Sequence, residues 1–266
     1  MSEVAGIDPA KLFNLGERSA LVTGATGALG TAAARGLAAT GAKLTLAGGN
    51  ADKLEALGAE LRDAGAAVEL VARRPDSLED AEAMVAAATS AHGAPELIVT
   101  AAGVNKVAMI EDQSVADWED VMDANVRGSW LVCKAAAPGL IAVGRGKVVL
   151  VSSTRGRLGH PAGYSAYCTS KSAVDGLTRT LACEWGKHGI NVNAIGPTVF
   201  RSDLTAWMYA DEEPGKGVRE GMLTRIPLGR LGEPEDFVGT LLFLLAPASD
   251  FCTGQVLYVD GGYTAG

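Results

Sequence analysis

Ser19-Ala-Leu-Val-Thr-Gly24-Ala-Thr-Gly27-Ala-Leu-Gly30 is the stretch on which the reading of this chain turns. A short apolar, β-prone run, Ser19 to Thr23, meets glycines at 24, 27 and 30, and an alanine-rich helical pattern follows at once. Glycine permits a tight turn and lets backbone N–H groups approach an anion closely. The next helix adds the positive end of its dipole. Glycines mark turns for many reasons. Between the first strand and the first helix, however, they predict a dinucleotide pyrophosphate cradle built on Gly24, Thr26, Gly27, Leu29 and Gly30.

Outward from this turn the same alternation continues. Runs 43–47, 67–72, 96–101, 147–152, 190–195 and 255–260 read as further buried parallel strands. Helical patterns occupy 51–64, 77–92, about 115–143, about 165–187 and 233–245. The expected fold is α/β: a Rossmann-like, doubly wound parallel sheet of about seven strands with helices on both faces. One domain spans 19–266 after an N-terminal extension, 1–18. The segment at about 200–231 interrupts the rhythm with repeated Gly and Pro and no strand, as a substrate lid does.

The 266 residues carry a net charge of −8 and no basic run, which makes nucleic acid or an acidic membrane surface a poor partner. No segment approaches about 18 uncharged apolar residues, so no membrane span is expected. The first residues lack the basic start and apolar run of a signal peptide. Cys133, Cys168, Cys183 and Cys252 follow no metal-binding spacing, and no metal is expected. Cys133 and Cys183 read as buried free thiols in apolar helices. A reduced, cytoplasmic protein fits these features.

Tyr167-Cys-Thr-Ser-Lys171 places a phenol and an ammonium four residues apart, on one face of a helix. An ammonium beneath a phenol favours the phenolate, so the tyrosine can exchange a proton with an alcohol or a carbonyl. Alone, the pair reads equally as a surface contact. Ser152-Ser153 ends a strand at the carboxyl edge of the sheet. Asn125 sits within a helical stretch, where an asparagine is mildly unfavourable unless its amide has a polar task.

Together these pieces resemble the short-chain dehydrogenase/reductase family in its short, single-domain branch, and are similar in general pattern to gluconate and polyol dehydrogenases. The motifs are TGATGALG, Thr100-Ala101-Ala102-Gly103, Asn125, Ser153, YCTSK, IGPTVF from Ile195 and VDGG from Val259. The resemblance implies an NAD(P)-dependent oxidoreductase interconverting a secondary alcohol and a ketone. Tyr167 would be the general acid or base, Ser153 would orient the substrate oxygen, and Lys171 would lower the tyrosine pKa and contact the nicotinamide ribose. Asn125 would support a proton relay through water. It also implies a homotetramer. Ala101, Ala102, Gly103, Pro197, Thr198, Val199 and Ser202 fall at its cofactor-lining positions.

The chain departs from the family in four places. Its NNAG reads TAAG, and its Pro-Gly after strand six reads Pro197-Thr198. After strand two, where an acidic residue would bind an NAD ribose or an arginine an NADP phosphate, stand Gly48, Gly49 and Asn50. After strand three come Arg73 and Arg74, and two guanidinium groups near the adenosine incline the reading towards NADP(H). Substrate contacts are expected from Asn105, Arg155, His160, Tyr164, Trp207 and Met208, which suit a sugar acid, polyol or hydroxy-ketone. Two rivals stay open. One is a catalytically silent dinucleotide-binding regulator; the other is an epimerase or dehydratase, since TGATGALG also fits their TGxxGxxG.

Overall fold

The computed structural model describes residues 8–203 and 205–266; the first seven residues of the expected N-terminal extension, and Leu204 of the expected lid, lie outside them. The strands are β1 (Ser19–Thr23), β2 (Lys43–Ala47), β3 (Val68–Val71), β4 (Leu97–Thr100), β5 (Gly146–Val151), β6 (Ile190–Pro197) and β7 (Val256–Val259). They form one all-parallel sheet in the order β3-β2-β1-β4-β5-β6-β7. The order reverses direction between β1 and β4, so the loops after these two strands open a crevice at the carboxyl edge.

The helices are α1 (Pro9–Leu12), α2 (Ala28–Ala39), α3 (Ala51–Asp63), α4 (Leu78–His92), α5 (Val115–Met122), α6 (Gly128–Val143), α7 (Ser165–Trp185), α8 (Gly215–Leu223) and α9 (Pro234–Leu245). Side chains alternate across each strand and so divide the core in two. Ala20, Val22, Leu44, Leu46, Val149 and Ile195 pack against Leu37 of α2, Leu54 and Leu57 of α3, and Leu241 of α9. Leu21, Ile98, Val148, Leu150 and Val192 face Met84 of α4, Val132 of α6 and Val174 of α7. Burying each such aliphatic side chain contributes about 1.5–3 kcal/mol. β7, at the sheet edge, is only half-buried.

Local signals set the helix starts. Asn50, Ser77 and Ser114 each accept a hydrogen bond from the third backbone N–H beyond them. At α9, Glu233 and Asp236 form a capping box around Pro234.

The structure corrects four expectations. The single helix read over 115–143 is α5 and α6 joined by a π turn, Asp123–Arg127. By length and composition that run is apolar enough to cross a membrane, contrary to the sequence reading, yet here Val121, Leu131, Val132 and Leu140 turn one side of it into the core. The connection after β6 contains α8, a 3-10 turn at Ala206–Tyr209 and a parallel bridge from Phe200 to Gly232. Glycine and proline there break the helices without abolishing them. Finally, Cys133 is buried and its thiol pushed up to about 12 by desolvation, whereas Cys183 is exposed. An apolar helix has a wet side too, and Cys183 lies on it.

Candidate active site

The glycine turn after β1 is closed by backbone. Gly24 has φ +68°, and a Cβ there would run into the Ala102 backbone; one at Gly30 would strike the Gly24 carbonyl oxygen. Thr31 Oγ1 donates to the Ala25 carbonyl (2.9 Å) and holds the loop against α2. Gly27, the cap of α2, supplies no side-chain acceptor, unlike Asn50, Ser77 and Ser114. The first N–H groups of α2 are therefore unclaimed by a side chain, the donor set an anionic pyrophosphate requires. Beside them lies a cavity of about 950 Å³ lined by Thr26, Gly27, Thr31, Lys53, Ser202 and Asp203, among others. These residues fit a dinucleotide. Leu29 is half-buried beside this turn.

The ends of β2 and β3 meet at the same crevice. Gly48 packs on Thr26, and at Gly49 a side chain would need the space filled by Arg74 Cγ, 2.8 Å from its ideal Cβ. The two arginines part company here: Arg73 pairs with Asp80 (2.9 Å), while the Arg74 stem lies over Gly49, with Asp76 3.4 Å from its Nε. Asn50 Oδ1 is engaged by the Lys53 N–H. Lys53 Nζ reaches Asp203 (2.7 Å), tying α3 to the segment after β6, and Ser202 bonds Thr205. Pro197 is buried, with Thr198 and Val199 half-buried beyond it.

The loop after β4, the π turn and α7 converge. Asn125 is 1% exposed. Its Oδ1 accepts from the Val104 N–H (2.7 Å), and its Nδ2 donates to the Val104 carbonyl (3.0 Å) and to Ser170 Oγ (2.9 Å). The π turn lets a mid-helix asparagine take on this task. A Cβ on Gly103 would lie 3.2 Å from Asn125 Oδ1 and 3.5 Å from Lys171 Nζ, so the absent side chain admits both groups. Ala101 and Ala102 are half-buried beside it.

Lys171, four residues after Tyr167, is 3% exposed; its ammonium donates to the Val151 carbonyl (2.9 Å) and sits 5.6 Å from the Tyr167 ring centroid. Burial brings the Lys171 pKa down to about 8, opposed by Asp175. Burial also pushes Tyr167 above the usual phenol value, and the neighbouring Ser153 hydroxyl opposes that rise. Ser153 is 6% exposed, and its Oγ accepts from the Arg155 N–H (3.1 Å). Ser152 is occupied elsewhere, with Asp175 (2.5 Å).

Above the tyrosine, Tyr164 lies edge-on to Tyr167 (6.0 Å) and stacks on His160 (4.3 Å). Arg155 Nη1 donates to the Gly159 carbonyl (2.9 Å) and Nη2 to Tyr263 Oη (3.1 Å). Asn105 Oδ1 is buried without a partner. Trp207 is 49% exposed and Met208 is buried, so the two do not share one open wall. Sequence reading missed Arg225 and Tyr263, which pack together beside Arg155. No local motif marks either one.

Comparison with known proteins places this geometry. A family model described as Enoyl-(Acyl carrier protein) reductase matches residues 24–264. An uncharacterised oxidoreductase of Mycobacterium tuberculosis is 57% identical over 254 residues, covering 95% of this chain and 93% of that protein. Gluconate 5-dehydrogenase of Gluconobacter oxydans is 38% identical over 180 residues, 68% of each chain. Among solved structures, a gluconate 5-dehydrogenase from Burkholderia cenocepacia, in complex with NADP and tartrate, superposes with a TM-score of 0.91. It is 30% identical, and the match covers 97% of this chain and 100% of that one.

Proposed function

The chain belongs to the short-chain dehydrogenase/reductase family and is an NAD(P)-dependent oxidoreductase acting on CH–OH groups; from that premise we propose that it interconverts a secondary alcohol and a ketone, with Tyr167 moving the proton. The observation that carries this reading is the convergence of Ser153, Tyr167, Lys171 and Asn125 at one end of the crevice that the glycine turn opens.

Each residue has a distinct task. Ser153 orients the substrate oxygen beside the phenol. Tyr167 gives a proton to the carbonyl oxygen in reduction and takes it from the hydroxyl in oxidation. Lys171 supplies a positive charge beneath the ring, and Asn125 holds the β4 loop and Ser170 in register around it. The nicotinamide dinucleotide, when bound, supplies or accepts the hydride. The N–H groups at the start of α2, the Gly103 backbone, Lys171 and the Thr198–Ser202 strand end would hold it.

Two observations support NADP(H) over NAD(H). Arg74 fills the side-chain space left open at Gly49, where a ribose 2′-phosphate is read. The Burkholderia cenocepacia relative was solved with NADP. The segment 200–231, joined to α3 through Lys53 and Asp203, is read as the lid over this crevice. The unpartnered Asn105 Oδ1 and the polar Arg155 and His160 favour a polyhydroxylated substrate, in keeping with the gluconate and galactitol dehydrogenase relatives. Assembly into a homotetramer through α5–α7 is supported by the exposed Trp118 of α5 and Trp130, Ile141 and Val143 of α6.

The test is Tyr167→Phe, assayed at the reduced-nicotinamide absorbance band over a panel of sugar acids, polyols and ketones. We expect turnover to fall by roughly 10²–10⁴-fold, with NADPH binding retained by fluorescence titration. An unaltered rate would remove Tyr167 from the chemistry. Turnover with no net change in that absorbance would favour an epimerase or dehydratase, and binding without turnover a regulator.

A further inference from the structure

Most arginines among the described residues lie within ion-pair distance of a carboxylate, including Arg35, Arg73, Arg145, Arg201 and Arg230. Arg155 and Arg225 do not, although they come from different parts of the chain and meet at one ring. Arg155 follows Ser153 by two residues, and its Cζ is 5.5 Å from the Tyr263 centroid. Arg225 lies just beyond the C-terminus of α8, and its Cζ is 4.4 Å from the same centroid. Tyr263 is 2% exposed and fixes both, with its hydroxyl accepting from Arg155 Nη2.

The surroundings add donors and no negative charge. His160 Nδ1 accepts from the Ala162 N–H (3.1 Å), which leaves Nε2 to carry the ring proton. Burial, and then the nearby charges of Arg155 and Arg225, hold the His160 pKa below its usual value. Asp260, three residues before Tyr263, is engaged by the Gly262 and Thr264 N–H groups and by Thr264 Oγ1. In a chain of net charge −8, two guanidinium groups without a carboxylate, next to the catalytic tyrosine's stack, form a local positive pole.

We propose that Arg155 and Arg225, both seated on Tyr263, form a carboxylate-binding subsite of the substrate pocket, so that the substrate is a polyhydroxylated acid anion and not a neutral polyol. The proposal rests on the dehydrogenase reading above and narrows it. A guanidinium is planar, always charged and matched to a carboxylate's two oxygens. Arg155 spends one N–H on the Gly159 carbonyl and one on Tyr263 Oη, which leaves it N–H groups to spare, and two positive charges held at one ring draw an anion in. Since Arg225 belongs to the segment after β6 and Arg155 to the loop after β5, the acid would also join those two segments.

The experiment compares the wild type, Arg225→Gln and Arg225→Lys, each saturated with NADP⁺. Gluconate is set against sorbitol and tartrate against threitol, by calorimetric binding and by initial rates. The wild type should bind the acids at least about tenfold more tightly than the matched polyols. Arg225→Gln should weaken acid binding roughly 10- to 100-fold and erase the preference, while Arg225→Lys recovers part of it. Arg225 is exposed, so its replacement does not threaten the fold. Equal binding of acid and polyol, absence of acid binding, or an acid preference that survives Arg225→Gln overturns the proposal. Acid-selective binding with no turnover of any compound would leave the subsite standing and remove the dehydrogenase reading. Turnover of neutral alcohols without acid preference would do the reverse.

Discussion

Asn125 and Val104 exchange two hydrogen bonds: the Val104 N–H donates to Asn125 Oδ1 at 2.7 Å, and Asn125 Nδ2 donates to the Val104 carbonyl at 3.0 Å. The side-chain amide thus pairs with a peptide group as a neighbouring strand would, and pins the loop after β4 to the π turn. Asn125→Leu leaves that peptide and Ser170 short of partners. Buried unmade hydrogen bonds cost about 1–3 kcal/mol each, so a loss of roughly 2–4 kcal/mol in urea denaturation is expected. Unchanged stability would mean that the loop finds other partners.

Ser153 acts on the acidity of Tyr167 in the direction opposite to burial. Desolvation favours the neutral phenol and raises its pKa; the polar Ser153 hydroxyl beside it favours the phenolate and lowers it. Ser153→Ala removes the larger of two lowering influences, the other being the charge of Arg155. The alkaline rise of kcat/KM for alcohol oxidation should therefore move to higher pH, with the rate reduced by roughly 10²–10³-fold. A reduced rate on an unmoved pH profile would confine Ser153 to the substrate.

Arg74→Ala should raise KM for NADPH about tenfold or more, the scale of one charge-assisted hydrogen bond, and leave KM for NADH nearly unchanged. Arg73→Ala should do less, because Arg73 is held by Asp80. Equal preference for both cofactors before and after either substitution would refute the NADP(H) assignment.

Lys147 is buried at the amino edge of the sheet, and its ammonium lies 2.7 Å from Asp250. Burial lowers its pKa and Asp250 opposes that shift. Asp250→Asn leaves a buried cation unpaired; because Asp250 is largely exposed, the expected cost is about 1–3 kcal/mol at pH 7. A lysine whose folded pKa lies below its unfolded value makes the protein more stable as pH rises between the two. The deficit of the variant should accordingly shrink as pH climbs towards 10.5, the ordinary lysine value. Thermal melts across pH 7–10 provide the check, and a deficit that grows with pH would contradict the assignment.

The sheet was legible because buried parallel strands leave unbroken apolar runs between helical periods, and Leu21, Ile98 and Val148 sit where those runs put them. The convergence of Asn125, Ser153, Tyr167 and Lys171 was legible because each lies on a regular element or at its end. Less regular features escaped. The π turn adds one residue to a helical turn, and the spacing of Val115–Val143 does not display it. Gly49 read as a missing charge, since the side chain that covers it, Arg74, comes from the end of another strand. Arg225 and Tyr263 escaped for the same reason: they meet Arg155 only through the tertiary fold.

The backbone contact between Gly24 and Ala102, and that between Gly30 and Gly24, has a thermodynamic consequence. Peptide rests on peptide through three layers with no flexible side chain between them. The conformational entropy of this turn, about 1–2 kcal/mol per residue, is therefore lost when the sheet assembles and not when a dinucleotide docks. The amide protons of Ala25 and Gly27, bonded to the Ala47 and Gly24 carbonyls, should exchange slowly before any cofactor is added, and their protection should rise little afterwards. Adaptation to the ligand would fall instead to the segment after β6, where Lys53 and Asp203 make the one ion pair joining it to α3 among the described residues.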